Sequence, residues 1–148
     1  MNSQLTIAAH ILAVLAHRDG QGAVTSDILA KGFGTNPVVI RRVLAQLKRA
    51  GLIESRPGAG GGSILARDAE TITLRDAYEA VTTDDNTVLA RHPAQCEEGV
   101  DIVPVIAEFL NELFADAEQA LLGSLGSVNV SQLKNEVAKR VKKPKRKN

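Results

Sequence analysis

The sequence is poor in thiols: of its 148 residues, one is cysteine, Cys96. A single cysteine excludes an intrachain disulfide framework, and nothing in the chain points to secretion. Long apolar runs are also missing. The best candidate, Leu5 to Ala16, is interrupted by His10, has no basic residue ahead of it and runs into His17-Arg18-Asp19. It reads as neither a secretory signal nor a membrane span. Leu5, Ala8, Ala9, Leu12 and Leu15 instead follow the spacing of a core helix that ends at Gly20 and Gly22. A cytoplasmic protein without a membrane partner is expected. His10 and His17 have no second pair of ligands, so no metal site is expected. The chain lacks a resolving cysteine and a convincing base, which argues against an enzyme and leaves no catalytic residue to name. No Lys-Ser or Lys-Thr follows Gly58-Ala59-Gly60-Gly61-Gly62, and the next residues read as strand, so a phosphate-cradling loop fails.

What the sequence does contain is concentrated between Thr25 and Ala66. Thr25 and Ser26 are N-cap types, Asp27 suits a first turn, and Gly32 is a natural stop after Ile28, Leu29 and Ala30. Asn36 caps a second helix and Pro37 fits its first position, where a missing N–H costs nothing. Ile40, Val43, Leu44 and Leu47 then recur at helical spacing, while Arg41, Arg42, Ala45, Gln46, Lys48 and Arg49 take the other side. Gly51 closes this helix. Leu52, Ile53 and Ser55 read as a strand that returns through Ser63, Ile64, Leu65 and Ala66.

This order of parts is a helix-turn-helix with a wing. In such units the N-terminal residues of the second helix reach base edges in the major groove. Here these are Val38, Val39, Arg41 and Arg42, with Thr35 and Asn36 just ahead of them. Arg can donate two parallel hydrogen bonds to guanine, worth about 1–3 kcal/mol of discrimination, and valine can touch a thymine methyl. Asn36, Lys48, Arg49, the wing residue Arg56 and the loop glycines Gly60 and Gly61 are the expected phosphate or minor-groove contacts. A cationic face alone is usually a solvated surface; in this order and spacing, double-stranded DNA is the expected partner.

The net charge of +1 conceals an uneven distribution: residues 1–67 carry +5, residues 68–133 carry −11 and residues 134–148 carry +7. A phosphate backbone meets the local field, not the sum. With 44% hydrophobic residues the chain can bury one core plus extensions. Residues 1–81 read as the DNA-binding unit, with Thr73 and Asp76 opening a short helix through Ala77, Tyr78, Ala80 and Val81. Residues 82–101 read as a loop, residues 102–125 as a helix region opening near Pro104, and residues 126–148 as an extension whose basic tail, from Lys139, is unstructured. That tail is either a solubilising terminus or an arm that neutralises phosphates. In the long helix Ile106, Leu110, Leu113, Phe114, Ala117 and Leu121 recur at three and four residues. A winged unit already closes its own core, so this stripe needs another surface, and a second copy is the simplest one. A homodimer then predicts a palindromic operator. The expected class is mainly α with a small β-hairpin.

Several stretches together resemble the Rrf-two winged-helix regulators, which include the iron–sulfur cluster regulator and the nitric-oxide-sensitive repressor. The resemblance rests on Leu5 to Leu12, Asn36 to Leu44, Leu47 to Ile53, Gly60 to Asp68 and Ile72 to Val81, and covers roughly residues 3–125. It implies a dimeric DNA-binding regulator, mostly a repressor, with the long helix forming the dimer. Cluster-binding members carry three cysteines before that helix. Cys96 corresponds to the middle one, and the next ligand position falls near Ile102, which cannot ligate. No iron–sulfur cofactor is therefore expected, a cluster on Cys96 with His92, Glu97 or Glu98 being the weaker alternative. Arg56 is offset by about one position from the minor-groove arginine of some members. Cys96 can be read as an inert thiol or as an oxidant sensor: Arg91 and His92 favour the thiolate, Glu97 and Glu98 oppose it. The functional alternative to a sequence-specific regulator is a nucleoid-associated architectural protein without sequence preference.

Overall fold

The computed structural model describes residues 3–83, 89 and 102–142. The expected loop with Cys96, Arg91, His92, Glu97 and Glu98, and the end of the tail from residue 143, lie outside the described residues. Six helices and one hairpin are described: α1 (Ser3–His17), α2 (Ser26–Phe33), α3 (Pro37–Arg49), β1 (Ile53–Arg56), β2 (Gly62–Leu65), α4 (Leu74–Val81), α5 (Ile102–Gly126) and α6 (Val130–Lys142). The mainly α class with a small hairpin is what the residue pattern calls for.

The core forms where α1, α3 and α4 meet. Ala8, Ile11 and Leu12 of α1, Ile40, Val43 and Leu47 of α3, and Ala77 and Val81 of α4 are fully buried, with Leu52, Ile53 and Ile72 beside them. The hairpin pairs antiparallel from Ile53 opposite Leu65 to Arg56 opposite Gly62. Val24 adds a third, one-residue rung: its N–H donates to Ser63 O at 3.0 Å and its carbonyl accepts from Ser63 N at 2.8 Å. A Cβ on Gly62 would stand 2.5 Å from Val24 O, and φ there is +145°. Only glycine lets the wing lie this close to the segment before α2.

Three boundaries differ from the sequence reading. The helix expected to stop at Gly32 continues to Phe33, because Phe33 packs on the core, and burial outweighs the roughly 1 kcal/mol that glycine costs inside a helix. Gly34, at φ 59°, is the actual left-handed terminus, its N–H facing Ala30 O and Lys31 O. Leu52 precedes the strand: its N–H donates to Leu47 O while Gly51 N donates to Lys48 O, a Schellman closure of α3. Ala66 follows β2 and donates to Leu52 O. The long helix starts at Ile102, with Pro104 tolerated in its first turn, where N–H groups lack intrahelical partners.

The largest difference concerns the C-terminal extension. Residues expected as an unstructured tail from Lys139 belong, through Lys142, to α6. Asn129 and Gln132 exchange hydrogen bonds at its start, Asn129 N to Gln132 Oε1 at 2.9 Å and Gln132 N to Asn129 Oδ1 at 2.8 Å. Val130 N donates to Ile72 O and Leu74 N to Val128 O, while Val130 itself is fully buried in the core formed by α1. Lys139, Arg140 and Lys142 lie in the last turn, where cations oppose the helix dipole favourably. Charge density alone pointed to disorder; an anchored N-terminus decides otherwise. Val130→Ala is expected to destabilise the whole unit by about 1–3 kcal/mol in urea unfolding, and a loss confined to C-terminal helicity would contradict this.

Candidate nucleic-acid interface

The outward face of α3 follows from how the helix is held. Thr25 Oγ1 accepts from Ile28 N at 3.3 Å to begin α2. Asn36 Oδ1 accepts from Val38 N at 2.9 Å to begin α3, with Pro37 in the first turn. Between the two helices the left-handed Gly34 makes the turn. Ile40, Val43 and Leu47 point inward, so Val38, Arg41, Arg42, Ala45, Lys48 and Arg49 are exposed. Val38 is 66% exposed, an apolar side chain at the leading end of a cationic helix.

The expected contact residues fall into three groups. Val38, Arg41 and Arg42 share the exposed leading end of α3, whereas Val39 is half-buried and its reach is shorter. Thr35 is half-buried too; its hydroxyl donates to Phe33 O at 3.3 Å. Asn36 spends its side-chain oxygen on the cap, leaving its amide hydrogens for a phosphate. Lys48 and Arg49 lie on the last turn of α3, about three turns from Val38. Gln46, grouped with the polar face in the sequence reading, is instead buried with the core, and its Oε1 has no hydrogen-bond partner among the described residues. It falls between the apolar Val43 and Leu47 positions, so helical spacing could have placed it inside.

Arg56 ends β1 opposite Gly62, and Gly60 (φ +73°) and Gly61 form the wing tip, closed by Gly61 N donating to Gly58 O at 3.0 Å. A Cβ on Gly61 would collide with Arg56 O. The sequence reading missed Arg18. It shares with Arg56, Asp19 and Ser63 the lining of a cleft of about 200 Å³ at the base of the wing. No local signal could pair Arg18 with Arg56, because the fold alone brings α1's end to the hairpin. One ion pair reaches into the candidate surface: Arg41 Nη2 lies 3.6 Å from Asp27 Oδ1 of α2.

The apolar stripe of α5 is exposed. Ile106, Leu110 and Leu113 are joined by Ile102, Val105 and Phe109, which the sequence reading omitted although they share the spacing; Phe109 is 64% exposed. Phe114 and Leu121 are half-buried and Ala117 is exposed. No residue of this 25-residue helix is buried. The candidate sensor Cys96 lies outside the described residues. Among the described residues no group of three His, Cys, Asp or Glu side chains could hold a metal ion, and no helix is long and apolar enough to cross a membrane.

A turn-linked helix pair with a cationic outer face and a glycine-tipped wing is the geometry of a winged helix-turn-helix, and a family model described as "Rrf2: Iron-dependent Transcriptional regulator" matches residues 1–136. The chain belongs to the Rrf2 family. It is 32% identical over 138 residues to YwnA of Bacillus subtilis, named as an HTH-type transcriptional regulator, covering 91% of this chain and 97% of that protein. The IscR regulator of Cereibacter sphaeroides is 36% identical over 78 residues, 53% of this chain and 48% of IscR. T. potens IscR shares the fold, with a TM-score of 0.71 at 18% identity over 98% of this chain and 92% of that one. This Rrf2 protein is therefore a sequence-specific DNA-binding transcriptional regulator. The family description names iron, and the chain carries one cysteine, Cys96.

Proposed function

We propose that this regulator binds DNA as a homodimer and represses transcription, with α3 of each copy in a major groove of a palindromic operator. The observation that carries this reading is the exposed leading end of α3, where Arg41, Arg42 and Val38 stand together. Arg41 and Arg42 would donate to guanine O6 and N7, and Val38, with shorter-reaching Val39, would touch thymine methyls. Asn36, Thr35, Lys48, Arg49, Arg56, Gly60 and Gly61 would hold phosphates or the minor groove, contacts that position without reading sequence. The basic end of α6 and the residues after it would add sequence-independent affinity.

The α5 stripe supports the homodimer. Ile102, Val105, Ile106, Phe109, Leu110 and Leu113 follow helical spacing on one side of the helix, and all six are exposed. An apolar face of this length facing water is unfavourable at about 25 cal/mol per Å². A two-fold partner presenting the same stripe covers both copies at once. Leu113→Asp is expected to yield a folded monomer in light scattering and to weaken operator binding at least tenfold; an unchanged dimer would place the interface elsewhere.

The reading also assigns this member no iron–sulfur cluster: protein purified without oxygen should hold no cluster iron, and a stoichiometric cluster would contradict the proposal. The one thiol, Cys96, is the candidate for any thiol-based redox response, which a Cys96→Ser protein releasing DNA under peroxide as the wild type does would eliminate.

Selection of bound duplexes from a random pool tests the central claim. One enriched palindrome is expected, whereas no enrichment would favour the architectural alternative. On the selected site Arg41→Ala should cost about 1–3 kcal/mol and leave random DNA nearly unaffected, while Arg49→Ala should weaken both alike. Equal losses for Arg41→Ala on both would remove it from base readout.

A further inference from the structure

We propose that the cleft at the base of the wing holds one phosphate of the DNA backbone between Arg18 and Arg56. The inference rests on the reading of Arg56 as a backbone contact and adds to it a residue from the end of α1. Arg56 ends β1 and Arg18 follows the last residue of α1, yet both line the same cleft of about 200 Å³.

The fold delivers Arg18 to the cleft on a fixed backbone. Its N–H donates to Val14 O at 3.0 Å, and its carbonyl accepts from Gln21 N at 2.9 Å. Gly20 and Gly22, at φ +74° and +108°, turn the chain back, and the Val24–Ser63 pair ties the end of that turn to β2. Only the Arg18 side chain remains to be ordered when a ligand binds, which lowers the entropic cost of the contact.

The chemistry of the cleft selects an anion. Both guanidiniums are exposed, and among the described residues neither makes an ion pair. Asp19 is the one carboxylate in the described lining, against two cations. Two like charges brought to one cleft repel each other, and an anion between them relieves that repulsion. The arginine fork matches the oxygens of a phosphate in pairs. Pockets for small molecules run to about 300–1,000 Å³, so this cleft suits a single phosphate group better than a nucleotide-sized effector. The wing supplies the source: a backbone phosphate that reaches Arg56 enters a cleft that Arg18 also lines. Such a contact carries no base information and acts alike on every sequence.

The test measures affinity for the selected operator and for random duplex over a range of salt. Arg18→Ala should weaken both by the same factor, about two- to fivefold for each copy bound. Asp19→Asn should have the opposite sign and tighten both, because it removes a like charge from beside the phosphate. One shared phosphate predicts a salt slope shallower by about 0.9 per copy in the Arg18→Ala, Arg56→Ala double variant, whereas two separate contacts would give about 1.8. A loss confined to the operator, no change on either duplex, no tightening in Asp19→Asn, or the slope of two separate contacts would each overturn the proposal. A role confined to closing α1, where a cation suits the helix dipole, would lower the unfolding midpoint, leave the salt slope unchanged and overturn it too. Stabilisation by inorganic phosphate that is lost in an Arg18→Ala protein with unchanged DNA binding would assign the cleft to a free anion, against the proposal. Failure of the underlying reading is distinct: Arg56→Ala would then bind both duplexes as the wild type does. Failure of this proposal alone leaves Arg56→Ala weakened and Arg18→Ala unaffected. Arg18 and Asp19 are exposed, so unfolding midpoints of both variants should stay near the wild type.

Discussion

A helix is free to turn about its axis until one face is buried, and the burial of Ile40, Val43 and Leu47 removes that freedom from α3. Everything on the outer face of α3 follows from this rotation. With three positions locked against α1 and α4, Arg41 and Arg42 have only the outward side left to occupy. The caps fix the remaining degree of freedom, translation along the axis: Asn36 holds the first turn and the Gly51–Leu52 closure holds the last. The wing depends on the same frame. It attaches through Leu52 and Ile53, which continue the buried face of α3, and through the Val24–Ser63 pair, which ties it to the start of α2.

Much of this frame was legible in the sequence because its determinants are local. Pro37 after Asn36, apolar residues at three and four, and a glycine run between two short strands each have a short-range physical meaning. The departures come from non-local packing. Gly32 reads as a stop until Phe33 is known to have a core to reach. Gln46 reads as surface by residue type, although it lies between Val43 and Leu47 on the buried side. Lys139 to Lys142 read as a disordered block until Val130 is seen seated against α1. At the candidate interface, the α3 cations were visible from spacing, whereas the Arg18–Arg56 cleft and the Asp27–Arg41 pair require the fold to bring distant residues together.

The Rrf2 assignment gives these elements a division of labour. One half of the chain carries the cationic helix and the wing; α5 carries a long apolar stripe that is largely exposed. The two halves differ in charge as well, basic at the front and acidic in the stretch that includes α5, so that stretch is unfavourable for a phosphate backbone. The chain carries one thiol, Cys96, and shares its fold with T. potens IscR over nearly its whole length.

The seating of Val130 has a consequence for how the protein is made. Helix α6 is the last described element to leave the ribosome, yet it fills part of the core beneath α1, the first. Domains fold as units during synthesis, and here the unit stays open until the segment around residue 130 has emerged. The long α5 is therefore available while the DNA-binding half still lacks a piece of its core. Nascent chains therefore carry the apolar stripe of α5 in the open before the core beneath α1 is complete.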